Sequence, residues 1–261
     1  MPPAAVTKRG QSSDDPVLLG LTATTNRGVG VKFPGLDPTS VGLDSPLNRS
    51  QRYLASAWDS VASLYEETYP ALRATRTGSR GRLTHAEQDI FRASVVFAGA
   101  GLDTVFKEAM RSCIAIQVDR SDGAREKYLD FVTRHIQAGP AVDARQLATL
   151  LTSTDPSRTL KDAYIDKLTG SSLQSLTQVT AAMSALGLQD EKELFKEAKS
   201  LNPLFRVRNE IAHELDMTPE SAGGRGTRHR RERSITEYKN MCHDGLNFAQ
   251  RILNALEPKV C

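Results

Sequence analysis

The chain has 261 residues, 25% of them charged and 39% apolar, with a formal net charge of +3 and a pI near 8.8. This balance leaves room for one large globular domain or two small ones, and it excludes a disordered, collagen-like or disulfide-scaffold chain. So small a charge excess marks a nucleic-acid binder only if it is gathered in one place.

Residues 1–44 are rich in Gly, Pro, Ser, Thr and Asp and show no sustained period. They read as a flexible or disordered N-terminal arm, with GVGVKFPG as a short extended piece inside it. The opening MPPAAVTKRG has no apolar core of the kind a secretory signal needs. The longest apolar run, Val95 to Leu102, is far too short to span a bilayer, so no membrane is expected. Three cysteines, Cys113, Cys242 and Cys261, form no C-x-x-C pair. An odd, unpaired set suits a reducing, cytoplasmic setting, with Cys113 and Cys242 as small core residues.

From residue 45 to 261 the signals are helical, and the fold class expected is all-α. Ser45 precedes Pro46, a cap followed by the favoured first helical residue. Trp58, Tyr65 and Tyr69 fall at helical spacing and read as core, with Glu66 and Glu67 on a solvated face. Thr84 with Glu87 forms a capping box, as do Ser171 with Gln174 and Ser234 with Glu237. Phe91, Val95, Ala98, Leu102, Val105, Ala109, Cys113 and Ile116 step by four and three, which predicts one long helix with a single apolar stripe. Shorter helices are predicted at about 123–137, 143–152, 157–168, 171–187 and 190–200. Ile235, Tyr238, Cys242, Gly245, Ala249, Ile252 and Leu256 define a last helix. Alternating strand patterns are nearly absent.

Asn202 and Pro203 repeat the cap-then-proline signal and open a helix that ends near Asp216. On its wheel Leu201, Leu204, Ile211, Ala212 and Leu215 share one side, and Arg208 falls near the middle of that side. Arg206 and Glu210, four apart, are placed to pair at the surface. Arg208 is the anomaly. An arginine in an apolar stripe lays its stem over the core, finds a buried partner, or meets another molecule. Just downstream, GGRGTRHRRER (Gly223 to Arg233) carries Arg225, Arg228, Arg230, Arg231 and Arg233 against Glu232 alone, a local net charge of +4. In effect the chain's positive excess sits in this loop.

The stretch R-N-E-I-A-H, from Arg208 to His213, resembles the R-x4-H motif of the HEPN superfamily of helical ribonucleases, with a polar residue after the arginine. The long helix containing SVVFAGAGLDTVFKEAMR is similar to an early helix of that family, particularly of its RiboL-PSP type, where an acidic residue takes the position of Asp103. R-x4-H alone is a weak signal. Arg80 to His85 also matches, but that copy crosses a loop and the Thr84 capping box, so its ends cannot share a helix face. The Arg208 copy lies on a capped helix and is followed by a basic loop.

The resemblance implies a HEPN-like bundle in which about 120–200 is an elaborated helical insertion. It also implies a metal-independent endoribonuclease acting as a homodimer, with neither cofactor nor metal. RNA carries its own nucleophile, the 2′-hydroxyl. Cleavage needs a proton acceptor, which suits His213, and a donor fork for phosphate oxygens, which suits Arg208. Asn209 would position phosphate or hold His213. Asp103 would orient Arg208 or fix the imidazole tautomer. Arg206 and the five loop arginines are candidate RNA contacts. On one helix Arg208 and His213 lie about 140° apart around the axis, so a single chain presents half a site. A twofold pair would bring both sets into one cleft. The family resemblance extends to toxins and anti-phage effectors, with a cognate antitoxin or defence-system protein as a further partner.

Competing motifs are missing: there is no H-E-x-x-H, Walker A loop or G-x-S-x-G, and the five histidines do not cluster at metal spacing. His135 sits on a polar helix end, and His243 reads as interfacial or surface. Two other functions stay open: a non-catalytic HEPN-like helical binding or assembly subunit, and a helical scaffold in which RNEIAH is accidental.

Overall fold

The structure is a computed structural model, and it describes residues 31–76, 81–137, 148, 152–218 and 229–261. The described residues are helical, with one isolated antiparallel bridge between Met217 and Arg230 and no strand. In chain order the helices are α1 (Asn48–Ser63), a π-helical turn (Leu64–Thr68), α2 (Tyr69–Ala74), α3 (His85–Arg120) and α4 (Asp122–Gln137). They continue with α5 (Pro156–Thr169), α6 (Leu176–Ala185), α7 (Lys192–Glu197), a 3₁₀ turn (Ala198–Leu201), α8 (Asn202–Glu214) and α9 (Ile235–Val260). The expected all-α class is what the chain adopts. No helix among the described residues is long and apolar enough to cross a membrane.

Helix α3 is the axis of the bundle. Thr84 accepts the Glu87 N–H and the Glu87 carboxylate returns to the Thr84 N–H, so its first turn is closed as the sequence predicts. The helix runs 36 residues and lies against α1, α4, α5, α8 and α9. It is therefore buried on several sides rather than along one stripe: Phe106, Met110 and Ile114 are as enclosed as Phe91, Val95 and Leu102. Periodicity could not reveal this, because a helix surrounded by others loses its polar face. Cys113 and Cys242 are buried and unpaired, and burial pushes both thiols up to about 12. That leaves them protonated and inert.

Several boundaries move. Residues 31–44 are not a loose arm. Phe33 is 1% exposed and its ring meets Tyr65 at 5.2 Å. The strap then runs along α9: the Asp37 N–H donates to Asn247, Ser40 to Asn254 and Gly42 to Glu257, at 2.7–2.9 Å. Trp58 donates to the Pro34 carbonyl, and Glu66, read as merely solvated, accepts the Phe33 N–H at 2.8 Å. His243 meets the Gly35 carbonyl under the strap, an interfacial position as expected. Helix α6 is capped by Ser175 with Gln178 rather than by Ser171 with Gln174, and it begins later than predicted. Of the helix predicted at 143–152 only Ala148 and Thr152 are described, both helical; the first thirty residues and the side chain of His135 lie outside the described residues.

Candidate functional site

Helix α8 emerges directly from the 3₁₀ turn at Leu201. Asn202 makes no side-chain cap, contrary to the sequence expectation, because the preceding turn already supplies helical backbone. Leu204, Phe205 and Val207 are buried, but the second half leaves the core: Ala212 is exposed and Leu215 is 66% exposed. The helix stops where Leu215 and Asp216 turn left-handed, at φ 52° and 58°. Such backbone is costly for residues with a Cβ, roughly 1–2 kcal/mol each.

What holds that turn is the Asp216 carboxylate, 0% exposed. It accepts from Arg92 Nε at 2.9 Å and from Arg233 Nη1 at 2.6 Å. Burial lowers the affinity of Arg92 and Arg233 for their protons. The hydrogen bonds to Asp216 outweigh it, so both guanidiniums end above the ordinary arginine value. The Asp216 carbonyl also accepts the Arg231 N–H, and the Thr218 N–H donates to the His229 carbonyl. These bonds fasten the base of the basic segment.

Arg208 sits seven to eight residues upstream and lies over Gly99 of α3, about two turns from Arg92, so α8 and α3 run antiparallel here. Gly99 makes the approach possible: a Cβ at that position would stand 3.2 Å from Arg208 Cγ. The stem of Arg208 thus lies over the bundle, and its Nη1 donates to Asn209 Oδ1 at 3.1 Å. Its Nε is buried without a hydrogen-bond partner. Among the described residues no carboxylate pairs with it. The buried ion pair left open by the sequence is therefore found at Arg92, not at Arg208. His213 lies exposed on the last turn of the same helix.

Other expected members stand elsewhere. Asp103 is one turn along α3 from Gly99, but its carboxylate accepts the Leu173 N–H at 2.6 Å and pairs with Lys107 at 2.9 Å. It holds the α5–α6 connection instead of orienting Arg208 or His213. Arg206 is exposed and does not pair with Glu210, which is taken by Arg233 at 2.8 Å and Arg231 at 3.2 Å. Arg230 pairs with Asp89 at 2.7 Å. Arg225 and Arg228 lie outside the described residues. The sequence reading missed Arg92, Asp89 and Asp216; Arg92 carried the same signal as Arg208, a guanidinium beside an apolar stripe. A groove of about 390 Å³ opens beside Asn209 and Arg206, floored by Phe205, Leu176 and Pro203.

No protein-family model matches this chain, and neither a characterised protein nor a solved structure matches it.

Proposed function

We propose that this chain is a HEPN-type, metal-independent endoribonuclease that works as a homodimer. The observation that carries the reading is Arg208: a guanidinium whose stem lies against Gly99 of α3 and which, among the described residues, meets no acid. A charge kept there without an internal counter-ion is suited to an anion from outside, and a phosphodiester has the matching geometry. Asn209 steadies its outer edge. His213 is exposed on the same helix and turned away from Arg208, so a twofold partner is needed to complete the set.

In this reading one His213 takes the proton of the RNA 2′-hydroxyl, and O2′ attacks phosphorus. The bond from phosphorus to O5′ breaks, and the leaving oxygen receives a proton from the second, protonated imidazole. Arg208 donates to the non-bridging oxygens as charge builds. The products are a 2′,3′-cyclic phosphate and a 5′-hydroxyl. A role as a toxin or anti-phage effector, restrained by a cognate partner protein, belongs to the same proposal.

A second reading, a non-catalytic helical binding subunit, is favoured by the fate of the basic segment. Arg230, Arg231 and Arg233 are engaged with Asp89, Glu210 and Asp216, which suits a rigid support better than an RNA grip. Incubating the purified chain with total RNA in EDTA and mapping the ends separates the two. The ribonuclease reading expects cuts with cyclic phosphate ends; intact RNA, or cuts that appear only with added metal, would favour the binding subunit.

A further inference from the structure

The groove of about 390 Å³ between α6 and α8 has no part in the chemistry just described, and its volume is at the small end of the range for ligand sites. Its floor is apolar: Leu176, Pro203 and the edge of Phe205, itself 5% exposed. Its rim is polar, and no carboxylate lines it. The one charged member is Arg206, exposed on α8 and, among the described residues, paired with no acid. A cation over an apolar floor with no acid nearby suits an electron-rich partner from outside.

Position ties this groove to the rest of α8. At about 100° per residue, Asn202, Arg206, Asn209 and His213 fall within about 60° of one another and form one polar row along the helix. Asn209 joins the row to Arg208: it lines the groove, and its Oδ1 accepts from Arg208 Nη1 at 3.1 Å. From Arg206 to His213 is about 10 Å along the axis, or about three nucleotides of stacked strand at roughly 3.4 Å each. A strand with a phosphate at Arg208 and Asn209 therefore has a neighbouring base within reach of the groove.

The hydrogen-bonding groups decide what enters. The side-chain amides of Gln174 and Asn202 hold no partner among the described residues; the bond that Gln174 makes, to Gln178 Oε1 at 3.0 Å, comes from its backbone N–H. Each amide sets a donor beside an acceptor in one plane, which matches the edge of a base, whereas a phosphate oxygen only accepts. A guanidinium fork matches the O6 and N7 of guanine. The apolar floor can take the flat face of a base splayed out of a single strand. We propose that this groove recognises one guanine of a single-stranded RNA, beside the cleaved phosphate, with Arg206 on O6 and N7 and the Gln174 and Asn202 amides on the remaining edge. The inference rests on the ribonuclease reading for its substrate, and it adds the base by which the strand is chosen.

The test is a fluorescence-anisotropy titration with three RNA hexamers whose 2′ oxygens are methylated, so that none can attack phosphorus: all uridine, uridine with one adenine, and uridine with one guanine. The wild type is expected to bind the guanine hexamer at least about tenfold more tightly than the other two, and Arg206→Met to bring the three within about threefold of one another. Arg206 is exposed and unpaired, so this variant is expected to fold; Gln174→Ala should narrow the preference in the same direction and carries the test if Arg206→Met does not fold. Equal or undetectable binding of all three hexamers by the wild type would overturn the proposal. So would a preference that survives both substitutions, or an Arg206→Met protein that loses the same factor on every hexamer, which would make Arg206 a backbone contact. Metal-free cleavage of total RNA, measured alongside, separates the two claims. Cleavage without a guanine preference sinks the groove and leaves the ribonuclease, and a guanine preference without cleavage keeps the groove and sinks the ribonuclease.

Discussion

Arg92 and Arg208 face α8 and α3 across the same interface, yet their surroundings differ in one respect: Arg92 has Asp216, and Arg208 has no acid among the described residues. Their substitutions should therefore behave oppositely. Arg208→Met keeps the stem over Gly99 and drops the charge. It is expected to change unfolding free energy by less than about 1 kcal/mol, while RNA cleavage falls by about 100-fold or more. A loss of several kcal/mol would show that the guanidinium holds the fold. Asp216→Asn tolerates the left-handed turn but removes the buried charge shared by two guanidiniums, which keep Asp89 and Glu210 as partners, and denaturant unfolding should record a cost of about 1–3 kcal/mol. The sequence showed Arg208 as an anomaly because its neighbours on the wheel are apolar. It could not show which of the two arginines was paired, because Asp216 reaches Arg92 from another element 124 residues away.

At the scale of elements, termini were more legible than faces. The boxes at Thr84 and Ser234 act within one turn of chain, and each forms as the local pattern dictates. The Glu87 box does more than cap. Its carboxylate, 0% exposed, also binds Arg73 at 3.0 Å and Arg76 at 3.0 Å. Burial opposes its ionisation, but the Thr84 N–H and the two guanidiniums prevail, and its pKa falls from 4.5 to about 2. A depressed carboxylate contributes stability that is present above the unfolded value and is lost as pH falls through the folded one. Acid titration of unfolding should thus show about 3 kcal/mol from this group disappearing between pH 4.5 and 2, a share of the slope that Glu87→Gln removes while Glu237 and Glu257, also held below the usual value, keep theirs. An unchanged slope in that variant would assign the acid sensitivity elsewhere. By contrast, the expected Asn202 cap and the Arg206–Glu210 pair failed because neighbours arriving from outside α8, a 3₁₀ turn and Arg233, took their places.

For the whole molecule, the strap from residue 31 to 44 changes what counts as the domain. Its composition suggested looseness, yet α9 bears a polar row, His243, Asn247, Asn254 and Glu257, opposite its apolar one, and each member bonds strap backbone. That row was visible in the sequence as a second helical period and had no evident partner there. Phe33→Ala should lower the unfolding free energy by about 3–5 kcal/mol in denaturant titrations, where a loose arm would lose nothing. The bundle and strap leave Arg208 half-buried and His213 exposed on one helix, the arrangement that the proposed twofold site calls for. The central claim is that this imidazole moves a proton in RNA cleavage. The decisive measurement is the rate of RNA cleavage in EDTA by wild type and by His213→Ala at equal concentration. The account predicts metal-free cleavage by wild type and a fall of at least about 100-fold in the variant; a wild type that leaves RNA intact, or a variant that cuts at a comparable rate, would contradict it.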